Sequence, residues 1–121
     1  MLNADPVLAL LSRALDTAAL RQTVHATNIA NINTEGYKHL EVISPAEQQR
    51  MNAEAPALDT EQALQWSQAD PTVVESAETH VKLDTEMAQM AENAVRYQAL
   101  IGAIDRTLGL LRSAARDGKE G

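Results

Sequence analysis

The chain has 121 residues, enough for one domain and too few for two ordinary ones. Hydrophobic residues make up 45% of it, yet 21 are Ala and the only aromatics are Tyr37, Trp66 and Tyr97. Thin helix-on-helix packing therefore suits it better than a thick core. The absence of Cys excludes disulfide scaffolds, thiolate metal sites and Cys nucleophiles, and the net charge of −7 argues against generic binding to nucleic acid or anionic lipid.

A first helix is expected to begin at Asp5-Pro6, an N-cap acceptor followed by Pro at the first helical position. Leu8, Leu11, Leu15, Ala18, Gln22, His25, Ile29 and Ile32 then recur at alternating steps of three and four, a heptad seam that is polar at Gln22 and His25. The helix should end near Asn33, with Gly36 free to take the left-handed conformation just beyond. The apolar run at 7–11 has no Lys or Arg before it and is followed by Arg13, so no cleaved secretory leader is expected. No apolar run approaches the ~18 residues of a membrane span.

Residues 36–80 hold eight acids and two bases, and three of the four prolines. Ser44-Pro45-Ala46-Glu47 reads as a capping box that starts a short helix, and the stretch from Asp59 to Gln62 as another, carrying Trp66. Asp70-Pro71 turns the chain, and the β-branched Thr72-Val73-Val74-Glu75 suits a short extended piece.

The C-terminal segment is the most regular. Met87, Met90, Ala94, Tyr97, Ile101, Ile104, Leu108, Leu111 and Ala115 hold the three-four step unbroken. Asp84 is the expected N-cap, with Glu86 in the first turn, a Glu92–Arg96 pair one turn apart, and cations crowding the far end. Two helices of matched length, roughly 40–45 Å each, are expected to pair antiparallel.

Little in the chain suggests chemistry. His25, His39 and His80 lack metal-binding spacing: His25 reads as a polar seam position and the other two as solvated. There is no Gly-rich phosphate loop and no nucleophile motif, so an enzyme is not expected. The unusual feature is the Asn cluster at 28, 31 and 33, followed by Thr34-Glu35-Gly36-Tyr37. Asn is a poor helix former, because its amide competes for nearby backbone groups. Three in six residues read either as fraying or as a specified helix end with amides reserved for neighbours.

The run Asn28-Ile29-Ala30-Asn31-Ile32-Asn33-Thr34-Glu35-Gly36-Tyr37-Lys38 resembles the N-terminal signature of the bacterial flagellar rod and hook family, N-I-A-N-x-x-T-P-G-Y. It departs at Glu35, where the family generally has Pro. Residues 81–93, with Tyr97-Gln98-Ala99 beyond them, resemble one branch of that family, the B-type proximal rod subunits. His80 and Lys82 are mild departures from that branch, and residues 39–79 lie outside the resemblance.

The resemblance implies a mostly α fold: two long terminal helices paired as an antiparallel coiled coil, with an irregular, partly disordered middle. The division is residues 1–38 and 81–121 as one helical domain, with 39–80 as a variable acidic segment. It implies a structural subunit of the basal-body rod, the drive shaft that carries torque across the periplasm, exported without a cleaved leader. Expected partners are further copies of itself, other rod subunits, the rod adapter at the membrane ring and the flagellar type III export apparatus. No cofactor, metal, nucleic acid, small-molecule substrate or membrane insertion is implied. Asn28, Ile29, Ala30, Asn31, Thr34, Gly36 and Tyr37 would specify the helix end and a subunit contact. The seam would be Leu8, Leu11, Leu15, Ala18, Ile29 and Ile32 against Met87, Met90, Ala94, Tyr97, Ile101, Ile104, Leu108 and Leu111. A non-flagellar helical adapter or export chaperone is the rival reading, though such a protein has no reason to carry the Asn-rich signature.

Overall fold

A computed structural model describes residues 5–52, 69–78 and 80–120. In chain order it contains α1 (Pro6–Ala30), β1 (Leu40–Ile43), α2 (Pro45–Asn52), β2 (Thr72–Glu75) and α3 (Leu83–Glu120). The expected second helix around Asp59 and Trp66 lies outside the described residues. No helix among those described is long and apolar enough to cross a membrane.

α1 starts as its sequence dictates: Asp5 Oδ1 accepts from the Val7 amide at 2.8 Å, and Pro6 takes the first helical position. It ends at Ala30, three residues earlier than expected. Asn31 is the reason. Its amide bonds the Thr27 carbonyl, its side-chain nitrogen donates to the same carbonyl, and its φ of −105° leaves the helix. Gly36 does take a positive φ of 77°, though not at the helix end. It sits in a separate turn closed by the Tyr37 amide on the Thr34 carbonyl at 3.2 Å. Glu35 there occupies the position where such turns favour Pro.

α3 begins at Leu83, with the Glu86 amide bonding the Lys82 carbonyl. Asp84 is therefore inside the first turn and is not the N-cap. At about 1.5 Å per residue α3 is about 57 Å long and α1 about 37 Å, so the lengths do not match.

The two helices pair antiparallel. Asn93 reaches Ala18 and Gln22, while Glu86 reaches His25 and Asn28. The apolar core between them is thin, with Ala18 1% and Val24 6% exposed. Buried polar groups share the interface: Thr17, Asn28, Glu86 and Asn93. Asn93 donates to the Ala18 carbonyl at 2.7 Å and to Gln22 Oε1 at 2.8 Å, which pins the register. The seam is consequently displaced from the expected one in α3. Met87 (56% exposed) and Ala94 face outward, and Glu86 and Asn93 take the inner positions, whereas Leu111 and Ala115 are exposed because α3 runs on past the start of α1. A carboxylate and an amide with partners on α1 outcompete a half-turn of Met and Ala for that face. Leu8, Leu11, Leu15, Ile29, Ile32, Met90, Tyr97, Ile101, Ile104 and Leu108 are half-buried.

The described part of the middle is more regular than expected. β1 pairs antiparallel with β2, from Leu40 opposite Glu75 to Ile43 opposite Thr72. The extended Thr72–Glu75 segment is legible in its β-branched residues, whereas β1, which also carries the β-branched Val42 and Ile43, is not among the expected elements. The capping box forms as read, with the Glu47 amide donating to Ser44 Oγ at 3.2 Å and the Ser44 amide to Glu47 Oε2 at 2.8 Å. Ion pairs tie this layer to α1: Arg21 to Glu47 at 3.0 Å, and Arg13 to Asp70 at 2.7 Å.

Candidate functional site

The Asn-rich signature forms a node where α1, the turn after it, β1 and the start of α3 meet. Asn28 is its hub and is fully buried. Its Nδ2 donates to the Leu40 carbonyl at 2.9 Å and to Glu86 Oε2 at 3.2 Å. Its Oδ1 accepts from the Leu40 amide at 3.0 Å and from the Tyr37 hydroxyl at 2.6 Å. All four hydrogen-bonding positions of the amide are used. Toward Leu40 the side chain acts as a strand partner, satisfying the backbone groups that β2 does not reach. That explains why Asn is required inside a helix it otherwise disfavours.

Asn31 and Thr34 form the second part. Thr34 Oγ1 donates to Asn31 Oδ1 at 3.1 Å, and the Thr34 amide to the Asn31 carbonyl at 2.9 Å. The exposed Gly36 then reverses the chain so that Tyr37 reaches back to Asn28. The structure thus brings Asn28, Asn31, Thr34, Gly36 and Tyr37 together through bonds within the chain. Ile29 and Ala30, with apolar side chains, have no hydrogen bond to add to it.

The third part is one that sequence reasoning misses. Glu86, 2% exposed, receives His25 Nδ1 at 2.8 Å and His39 Nε2 at 2.5 Å, besides Asn28. A carboxylate only accepts, so both rings present an N–H to it. His39 is therefore not solvated: its side chain is 14% exposed, and its buried Nδ1 makes no hydrogen bond, lying 3.7 Å from Glu41 Oε1. His80 is exposed, as expected. Burial alone would raise the Glu86 pKa. The hydrogen bonds from His25, His39 and Asn28, with the charge of His25, outweigh it and hold the carboxyl below its ordinary value. Burial, then the nearby Glu86 charge, push the Tyr37 hydroxyl up. Neither the spacing of His25 and His39 nor the position of Glu86 announces this cluster, because the three come from separate segments. The available hint is that the seam turns polar at Gln22 and His25.

Chemically the node is a fastener. Its groups largely satisfy one another, and among the described residues no three His, Asp or Glu side chains are arranged to hold a metal. Beside it runs an open polar groove of about 480 Å³, lined by residues of α1, β1, α2 and α3.

Comparison with known proteins addresses the same region. Residues 8–38, which span most of α1 and the turn through Tyr37, match the family model described as flagella basal body rod protein. The chain is also similar to a protein of Bacillus subtilis (strain 168) named flagellar basal body rod protein FlgB. The two are 29% identical over 119 residues, covering 90% of this chain and 92% of the relative.

Proposed function

We propose that this chain, which belongs to the flagellar basal body rod protein family, serves in the proximal part of the rod. As a family member it is a structural subunit of the flagellum that assembles with other rod components. The finer reading is that it carries torque as part of the drive shaft crossing the periplasm, without catalysis. It would reach that place through the flagellar export apparatus and meet the rod adapter at the membrane ring.

The observation that carries this reading is the node itself. The segment that matches the family model ends in Asn28, Gly36 and Tyr37: the Asn28 side chain, held by the Tyr37 hydroxyl that the Gly36 turn brings back to it, ties the first helix to the last through Glu86. A shaft subunit needs its two long helices held at a fixed register, since a pair that slips cannot transmit load. The buried Asn28, Glu86 and Asn93 supply that register where the apolar core is thin. The outward-facing Met87, Ala94 and Leu111 are then available to neighbouring subunits, which suits them to contacts in the assembled rod.

The test is a clean deletion in the source bacterium with electron microscopy of purified basal bodies. The expected result is a membrane ring without rod or hook, restored by the wild-type gene and not by Asn28→Ala. Intact rods on motile deletion cells would overturn the proposal and leave a helical adapter as the better account.

A further inference from the structure

α3 carries two overlapping rows of residues at the same three-four steps. They share Met90, Tyr97 and Ile104 and differ at the positions between. One row is completed by Glu86, Asn93, Leu100 and Thr107, the other by Met87, Ala94, Ile101 and Leu108. Each residue turns a helix by about 100°, so the centres of the two rows lie about 50° apart. At Glu86 and Asn93 the first row is buried, while Met87 and Ala94 beside them are exposed. Farther along, Leu100, Ile101, Thr107 and Leu108 are all half-buried, so the helix there favours neither row. Its rotation about its own axis is therefore set by two polar side chains.

Both can let go without dismantling the rest. Asn93 donates to Ala18 and Gln22, but its buried Oδ1 has no partner among the described residues, a cost that exposure removes. The Ala18 carbonyl, inside α1, keeps its helical partner without Asn93. The bonds of Asn28 to Leu40 and Tyr37 stay within residues 28–40 and do not need Glu86. What Glu86 supplies is charge. It is faced by His25 and Asn28 of α1, by Tyr37 of the turn and by His39 ahead of β1, with Glu41 3.7 Å beyond His39. Glu78, His80 and Lys82 line the same groove. Ionised, Glu86 accepts from both rings and from Asn28; protonated, it turns one oxygen into a donor facing donors. We propose that α3 is a two-position element, rolling by about 50° from the Glu86–Asn93 row onto the Met87–Ala94 row when Glu86 loses its charge. The roll moves its backbone by about 2 Å and keeps Met90, Tyr97 and Ile104 on the inner side. It exchanges a buried carboxyl and amide for apolar side chains. The inference rests on the packing of the two helices and not on the rod reading. In a rod subunit, the roll would withdraw the Met87 edge from its neighbours.

Methionine methyl NMR on the full chain, with a soluble paramagnetic agent, reads the position of α3. At about pH 7 the Met87 methyl should relax nearly as fast as that of Met51, which is 70% exposed, while the half-buried Met90 is shielded. As pH falls to about 2, past the titration of Glu86, Met87 should lose most of its enhancement and match Met90. Glu86→Lys should produce the same loss at about pH 7, because a cation is repelled by the imidazole N–H groups that a carboxylate holds. Ala94→Lys, which stays charged in acid and resists burial, should keep Met87 exposed throughout. Met87 that stays exposed both in acid and in Glu86→Lys would overturn the proposal. So would acid that exposes Met87 and Met90 together, which is unfolding, or an Ala94→Lys chain whose Met87 is shielded in acid.

Discussion

The end of the helix pair at Asn28 and Glu86 is built differently from the end at Leu110. At the first, four chain segments converge on buried polar groups that satisfy one another almost completely. At the second, α3 continues alone with every described residue from 110 to 119 exposed. The contrast teaches that in an Ala-rich pair the register is fixed locally by polar contacts, and that the remaining helix keeps its shape from propensity and awaits other contacts. Substitutions at the two ends should therefore differ sharply in their effect on folding.

The largest effect is expected from Asn28→Ala. It strands the Leu40 amide and carbonyl and the Tyr37 hydroxyl in a buried site, and should cost about 3 kcal/mol or more in urea unfolding followed by circular dichroism. Loss below about 1 kcal/mol would mean that the node does not fix the pair.

Acid should act on the same end. Glu86 has a depressed pKa, so its contribution is complete above the ordinary glutamate value and is lost as pH falls through the depressed one. Melting temperature should drop below that ordinary value, and Glu86→Gln should flatten the dependence there while lowering stability at neutral pH. An unchanged acid profile in the variant would move the titrating group elsewhere.

Tyr37→Phe removes one hydrogen bond and keeps the ring, so about 1 kcal/mol is expected from the same denaturation measurement. Glu35→Pro should act in the opposite direction. Pro at that turn position, before the positive-φ Gly36, should stabilise by about 0.4–1 kcal/mol through the unfolded chain. A loss of stability would show that the Glu35 backbone is incompatible with Pro.

The smallest effect belongs to the exposed faces of α3. Leu110→Ala and Val95→Ala, at positions 72% and 71% exposed, should stay within about 0.5 kcal/mol of the parent. If Leu110→Ala matched Tyr37→Phe, the contrast between the ends would fail.

Patterns carried within one segment were legible in the residues. Asp5-Pro6 and Ser44-Pro45-Ala46-Glu47 start helices by local hydrogen bonds, Gly36 takes a conformation that its missing Cβ permits, and the three-four steps produce two long helices. The Asn cluster marked the site, since amides placed against helix propensity need partners. Which partners they find was settled only by tertiary structure. His25, His39 and Glu86 lie far apart in the chain and meet because α1 and α3 run antiparallel with β1 across them. The displaced seam has the same origin: periodicity counts apolar side chains, whereas Glu86 and Asn93 take the inner face through hydrogen bonds to α1 that no local pattern encodes.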